Sequence, residues 1–410
     1  MRNKITRTVE SDKPVLEIKA GLDDFVVEEQ LGWMPTGEGE HLYLWIEKRD
    51  LSTARVAAAL ARWFGIAPRS VGFAGRKDRF ACTRQWFSLA GVESARAAEF
   101  RLAGAQILEV TRHGRKLRLG AHLANRFELL VGGAAGEDRK NLELAFRAIC
   151  DEGLSNRFGP QRFGADGVAD RAGELALGRD WRGFLAAIAA SSHWPASNAL
   201  EELRQVLERE GSAGHRGLAR LAPDLPGELA PLARQLARRR GDFEGAARAL
   251  DQRLVTFAVS ALQARLFNRL LAARAQHSLE LEVGDLCTLR GERGLRAVAA
   301  GDDLEAWRLA ARRAEAHPSG PMFGWRAPLA GGRPGDLERE ILAAAGLELA
   351  EFQDLLPGIS PRGSRRPLRV AVGAGRLEWR GSLVYLAFEL PPGVYATTLV
   401  SQLQESVFSP

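Results

Sequence analysis

The feature that most limits the architecture of this chain is a change of character along it. Up to about residue 166, short β-forming runs alternate irregularly with single helices. Residues 41–48 read as a strand. Ser52 or Thr53 can cap the next helix, where Val56, Leu60, Trp63 and Phe64 recur at helical spacing before Gly65 and Pro68 end it. Residues 71–74, 85–89, 107–110 and 126–131 are further strands. Residues 138–150 form a helix with Leu142, Phe146 and Ile149 on one face. From about 167 to 275 alanine, arginine and leucine dominate and strand-like runs vanish. Helices read there over 181–190, 198–210, 231–240 and 243–274, the last continuous or broken. After about Pro334 a helix (336–345) precedes strands at 368–372 and 383–390, and 397–404 closes as a helix. Short links between strands suit antiparallel pairing, so the expected class is α+β with a mixed, mainly antiparallel sheet, not a doubly wound parallel one.

At 410 residues the chain is long for one core and suggests about two domains. A hydrophobic content of 46% with 26% charged residues is that of an ordinary globular protein. The net charge of +6 is too modest to imply a nucleic-acid partner by itself. Clusters say more: Arg112, His113, Arg115, Lys116 and Arg118, and again Arg362, Arg365, Arg366 and Arg369. Such clusters suit phosphate contacts, although each alone reads as a solvated face. The three cysteines are widely spaced and the histidines lack ligand spacing, so neither a disulfide framework nor a metal site is expected. The N-terminal residues lack an apolar h-region and no run of eighteen apolar residues occurs, which gives the expectation of a cytoplasmic protein.

Chemistry concentrates in residues 71–87. A strand-like run ends in a glycine turn, and Arg76, Lys77, Asp78 and Arg79 follow. Asp78 is the only acid between Arg69 and Glu93, with Arg76, Lys77, Arg79 and Arg84 around it. Nearby cations favour a carboxylate, so Asp78 is expected to be ionised with a lowered pKa. A nucleophilic carboxylate needs that state. Taken alone, the cluster reads as a solvated turn with a surface ion pair.

The full string resembles the signature of the TruD family of tRNA pseudouridine synthases, A-G-x-K-D-x-x-A-x-T-x-Q-W, here carried by Ala74, Gly75, Lys77, Asp78, Ala81, Thr83, Gln85 and Trp86. Further segments are similar in the same order. They are residues 19–29 (K-x-x-P-x-D-F-x-V-x-E, with Leu22 for proline), residues 37–41, and Asn125–Phe127 (G-N-x-F, with Ala124 for glycine). Residues 156–164 (N-Y-F-G-x-Q-R-F-G, with Arg157 for tyrosine) and 390–398 (L-P-x-G-x-[FY]-A-T) follow. Residues 167–250 carry none of it.

The resemblance implies a split catalytic domain, residues 1–157 and 334–410, with a helix-rich second domain, 158–333, inserted. An arginine-rich insertion facing the cleft would give RNA a groove with two walls. It implies isomerisation of uridine to pseudouridine at position 13 of tRNA by a monomer, with Asp78 as the catalytic carboxylate. No redox cofactor or metal is needed, because no atoms are gained. Lys19, matching a lysine upstream of the family's D-F motif, is the expected counter-charge. Lys77 adjoins Asp78 but points away from it on an extended backbone, so it holds a phosphate or supports structure. For the flipped uracil, Asn125 can donate and accept at the base edge, while Phe25, Phe127 and Tyr395 can form pocket walls. Gly393 can allow a close backbone approach. Arg112, Arg115 and Lys116 are expected at RNA phosphates. Two other readings compete: an RNA-binding protein on this scaffold without catalysis, and an aspartyl-nucleophile hydrolase, which would need metal-holding acids near Asp78.

Overall fold

The computed structural model describes residues 15–19, 21–134, 136, 138–164, 166–208, 217–277, 280–289, 294–313 and 315–408. The first residues, read above for targeting signals, and residues 209–210 of the expected 198–210 helix lie outside these. The chain forms two compact units: one from residues up to Leu154 together with those from Val370 on, the other from Ser155–Arg369. The return to the first unit comes at Val370, not near Pro334 as expected. The helix Gly332–Ala343, the link after it and the turn Leu349–Phe352 bury Leu342, Leu347 and Phe352 in the same apolar cluster as the helices Ala169–Leu177 and Trp181–Ala190.

In the first unit the sheet runs, in spatial order, Gly373–Arg380, Leu383–Leu390, Ala124–Gly132, Phe25–Gln30, Cys82–Ala90, His41–Arg49 and Ala105–His113. Neighbours along it are antiparallel except Phe25–Gln30 against Cys82–Ala90, which is parallel. The strand pair joining Leu383–Leu390 to Ala124–Gly132 puts Phe388 opposite Phe127 and Leu390 opposite Asn125. The helix Thr53–Phe64 covers the His41–Arg49 side. Ser52 caps it by accepting the Arg55 N–H at 3.2 Å, and Gly65 ends it in the left-handed conformation. It buries Val56, Leu60 and Phe64, while Trp63 lies on its open flank. The helices Asp138–Glu152 and Ala396–Phe408 cover Ala124–Gly132 and Leu383–Leu390 and bury Leu142, Phe146, Ile149, Leu399 and Leu403.

The second unit is mainly helical. The long helix expected over 243–274 is two, Phe243–Ala249 and Gln252–His277. A small sheet of Arg296–Ala297, Leu286–Leu289, Ala316–Met322 and Ser364–Pro367 was not legible beforehand. Its central strand contains Pro318 and Pro321, which ordinarily argue against a strand. The cluster Arg362–Arg369 is only partly an open surface, with Arg362 exposed. The Arg365 side chain is buried against Glu338 at 2.8 Å, and Arg366 lies over the Phe158 ring and bonds Asn156. Asn156 donates to the Pro367 carbonyl at 2.8 Å.

Candidate active site

Residues in register on neighbouring strands share a face of the sheet. One such row crosses Lys48, Thr83, Val27, Phe127 and Phe388. Two residues along the strands lie Ile46, Gln85, Glu29, Asn125 and Leu390. Apolar residues hold the ends of the second row and polar ones its middle. The helices covering this face form two separate apolar clusters, one over each end. Between them the sheet shows Lys48, Thr83, Gln85, Glu29 and Asn125. Among the described residues fourteen polar or charged side chains are buried, and seven belong to this patch: these five with Thr53 and Lys77. A buried polar cluster on that scale needs a purpose other than packing, because each member must find a partner.

The Asp78 loop lies over this patch. Gln85 donates to the Gly75 carbonyl at 3.1 Å. The Lys77 N–H donates to Thr53 Oγ1 at 2.9 Å, and that hydroxyl donates to Gln85 Oε1 at 2.8 Å. Thr53 therefore fastens the loop, while Ser52 caps the helix. Lys48, with no exposed surface, donates to the Asp78 carbonyl at 2.8 Å and to the Leu51 carbonyl at 2.7 Å. The backbone from Gly75 to Asp78 is thus held at several points, whereas Asp78 itself is exposed.

The electrostatics differ from the sequence expectation. The cations adjacent in sequence are paired elsewhere: Arg79 with Asp50 at 2.8 Å, Arg84 with Glu28 and Glu47, and Lys77 with Glu29 at 2.8 Å. The protein around the Asp78 carboxyl raises its pKa above the ordinary aspartate range, against the opposing pull of Lys48 and then Lys77. The lowered pKa expected above is therefore corrected: displaced water outweighs the cations. Surface exposure and the raised pKa are compatible, since an edge open to a ligand can still have protein over most of its surroundings. Burial pushes the Lys48 ammonium down to about 8. Glu29, almost wholly buried, is raised by desolvation despite Lys77 and accepts the Trp86 N–H at 3.1 Å.

Lys48 and His122 are the residues that sequence reasoning missed. Lys48 sits seven residues into a β-forming run and carries no local mark. His122 lies beside Gly75 and places Nε2 3.4 Å from Asn125 Nδ2. Burial, then the charge of Lys77, push its pKa down to about 4.

The other expected residues fall into place unevenly. Lys19 lies along Gly132, where an added Cβ would come within 2.7 Å of its Nζ. The cations acting on Asp78 are Lys48 and Lys77. Lys77, with a side chain 4% exposed, takes the structural alternative, because an ion-paired buried ammonium has no surface for a phosphate. Asn125 is buried and its Oδ1 has no hydrogen-bond partner among the described residues. Phe127 belongs to the core, its ring stacked on Phe388 with centroids 5.6 Å apart and tilted against Phe25 at 6.4 Å. Phe25 is half-buried and Tyr395 is 52% exposed. Apart from its chain neighbours, no described residue lies within 4 Å of where a Cβ at Gly393 would sit, and its φ of 82° suits glycine for the turn itself.

Arg112 binds the Gly39 and Val92 carbonyls and Lys116 the Arg69 carbonyl, whereas Arg115 is exposed. A shallow depression of about 530 Å³ lies at Thr36, Glu38, Gly39, His113, Gly114 and Arg115, and none of the Asp78 patch lines it. Among the described residues no group of three or more His, Cys, Asp or Glu is placed to hold a metal, and no helix is long and apolar enough to cross a membrane.

Comparison with known proteins finds relatives over nearly the whole chain. The family model for tRNA pseudouridine synthase D (TruD) matches residues 6–403. A protein named tRNA pseudouridine synthase D from Geobacter metallireducens is 36% identical over 388 residues, 95% of this chain and 94% of its own. One of the same name from Anaeromyxobacter sp. is 34% identical over 389 residues, 94% and 91% of the two chains. A crystal structure of a candidate tRNA pseudouridine synthase D from Methanosarcina mazei superposes with a TM-score of 0.78 at 22% identity, over 98% of this chain and 95% of its own, and so shares the fold.

Proposed function

The chain belongs to the tRNA pseudouridine synthase D (TruD) family, and from that premise we propose that it isomerises uridine to pseudouridine at position 13 of tRNA, with Asp78 as the reacting carboxylate. The observation that carries the role of Asp78 is the fastening of its loop. Lys48, Thr53 and Gln85 hold the backbone from Gly75 to Asp78 and leave the carboxylate open. A group placed this way is pre-organised, and fixed geometry is what a reacting carboxylate needs.

In the reaction the N1–C1′ bond breaks, the base turns, and C5 joins C1′ while the C5 proton ends on N1. The ionised carboxylate attacks the sugar or removes its 2′ proton, and either route requires the anion. We assign its counter-charge to Lys48 rather than to Lys19, because Lys48 is the leading cation acting on it. The target uridine must leave its stack to be reached. Asn125 meets the base edge, Phe25 offers a ring face backed by Phe127, and Tyr395 supplies an exposed wall. Arg115 is free to meet phosphate, with Arg112 and Lys116 shaping its loop. The protein acts as a cytoplasmic monomer on tRNA.

The test is carbodiimide mapping of pseudouridine on tRNA incubated with purified protein. Asp78→Asn should abolish the product while tRNA affinity stays within about tenfold, roughly 1.4 kcal/mol. Turnover by Asp78→Asn within tenfold of the unaltered protein removes Asp78 from the mechanism.

A further inference from the structure

The Asn125 amide has a donor end and an acceptor end, and which of them faces the site decides what base edge it can read. Its Nδ2 lies 3.4 Å from His122 Nε2. Burial and Lys77 hold the imidazole pKa near 4, so the ring is neutral at physiological pH and one of its nitrogens accepts. In the tautomer protonated at Nδ1, Nε2 accepts and engages the amide's donor end. That leaves Asn125 Oδ1 buried with no partner among the described residues. The strand neighbour opposite Asn125 is Glu29, which offers only carboxylate oxygens already facing Lys77 and the Trp86 N–H. In that tautomer Asn125 Oδ1 is a buried acceptor without a donor among the described residues, and uracil can supply one.

We propose that His122 is a positioning residue that orients the Asn125 amide so that its carbonyl accepts the N3–H of uracil, making the site select uridine over cytidine. The inference rests on the pseudouridine-synthase reading given above. Uracil carries a donor at N3, whereas cytosine carries an acceptor there and would set two acceptors against each other. A site built to bond a particular N–H strongly rejects an analogue without it, because its buried group stays unpaired.

The test uses the Asp78→Asn protein, which binds without turnover, and tRNA transcripts bearing U or C at the target position. With His122 present, affinity for the U transcript should exceed that for the C transcript by about tenfold or more. His122→Leu fills the space but cannot accept, so the amide turns freely and the preference should shrink to within about threefold. His122→Gln offers an accepting Oε1 and should restore most of it. In the Asp78 protein the same order should hold for kcat/KM on the U transcript. A preference unchanged in His122→Leu, or absent with His122 in place, overturns the proposal. So does equal loss in Leu and Gln, which would indicate packing alone. If His122→Leu does not fold, His122→Gln decides: a retained preference supports the proposal and a lost one overturns it. Failure of the functional reading shows separately, as no pseudouridine from the Asp78 protein.

Discussion

Lys48 controls Asp78 through the main chain. Its buried ammonium bonds the Asp78 carbonyl at 2.8 Å rather than the carboxylate, so the acid is anchored and electrostatically supported without being covered. The Lys48 pKa lies near 8. As pH rises through that value the charge leaves, and kcat/KM should fall along an alkaline limb with a midpoint near 8. Lys48→Met should lose that limb and lower kcat/KM by more than about tenfold. Its stability should change by less than about 2 kcal/mol, because removing a buried charge offsets the two carbonyls left without a donor. A pH profile flat from 7 to 9.5 in the unaltered protein would refute the assignment.

The raised pKa of Asp78 makes a stability prediction independent of turnover. A carboxyl whose folded pKa exceeds its unfolded value binds protons more tightly when folded, so its contribution is fully present below the unfolded pKa and lost as pH rises through the folded one. Asp78→Asn does not titrate. Measured by urea unfolding, it should be more stable than the unaltered protein at neutral pH, with the advantage fading below the ordinary aspartate range. An advantage that instead grows toward acid would show that the cations outweigh burial.

Glu29 and Lys77 form a buried pair, their side chains 0% and 4% exposed. Glu29→Ala strands the ammonium and removes the acceptor of the Trp86 N–H, at a cost of about 3–5 kcal/mol in urea unfolding. Replacing both by methionine should recover at least half of that loss. A single variant within 1 kcal/mol of the unaltered protein, on the order of a surface pair, would contradict a buried one.

Phe127 and Tyr395 should separate. Phe127→Ala opens a hole in the core against Phe388 and should cost about 3–5 kcal/mol of stability. Tyr395→Ala, on an exposed ring, should leave stability unchanged and lower kcat/KM by about tenfold to a hundredfold, the value of one stacking face, whereas Tyr395→Phe should stay near the unaltered rate. Equal rates for the Ala and Phe variants would place Tyr395 outside the pocket.

Much of this was legible in advance where a local pattern had a local cause. The helix Asp138–Glu152 buries the three residues its periodicity named, and Leu383–Leu390 forms the strand its composition announced. What escaped depends on residues remote in sequence. Arg79 and Arg84 stand beside Asp78 in the chain, yet Asp50, Glu28 and Glu47 claim them, and the supporting charge comes from Lys48 on another strand. The family signature pointed to Asp78 and Asn125 but carried no mark for His122, which the fold brings beside Asn125. The later return to the first unit escaped because Leu342, Leu347 and Phe352 complete a core begun at Ala172, and such cooperation has no periodicity.

Because Leu383–Leu390 pairs with Ala124–Gly132, a nascent chain leaves one edge of the first sheet bare for the synthesis of about 250 residues, some tens of seconds at ordinary elongation rates. Over that interval Phe127 lacks its stacking partner Phe388, and the strand bearing Asn125 offers unpaired main-chain groups to any passing strand. The intervening residues have a core of their own to form meanwhile. Translation speed through that stretch, rather than thermodynamic stability, should therefore govern the yield of active protein, and slower elongation there should increase dependence on chaperones.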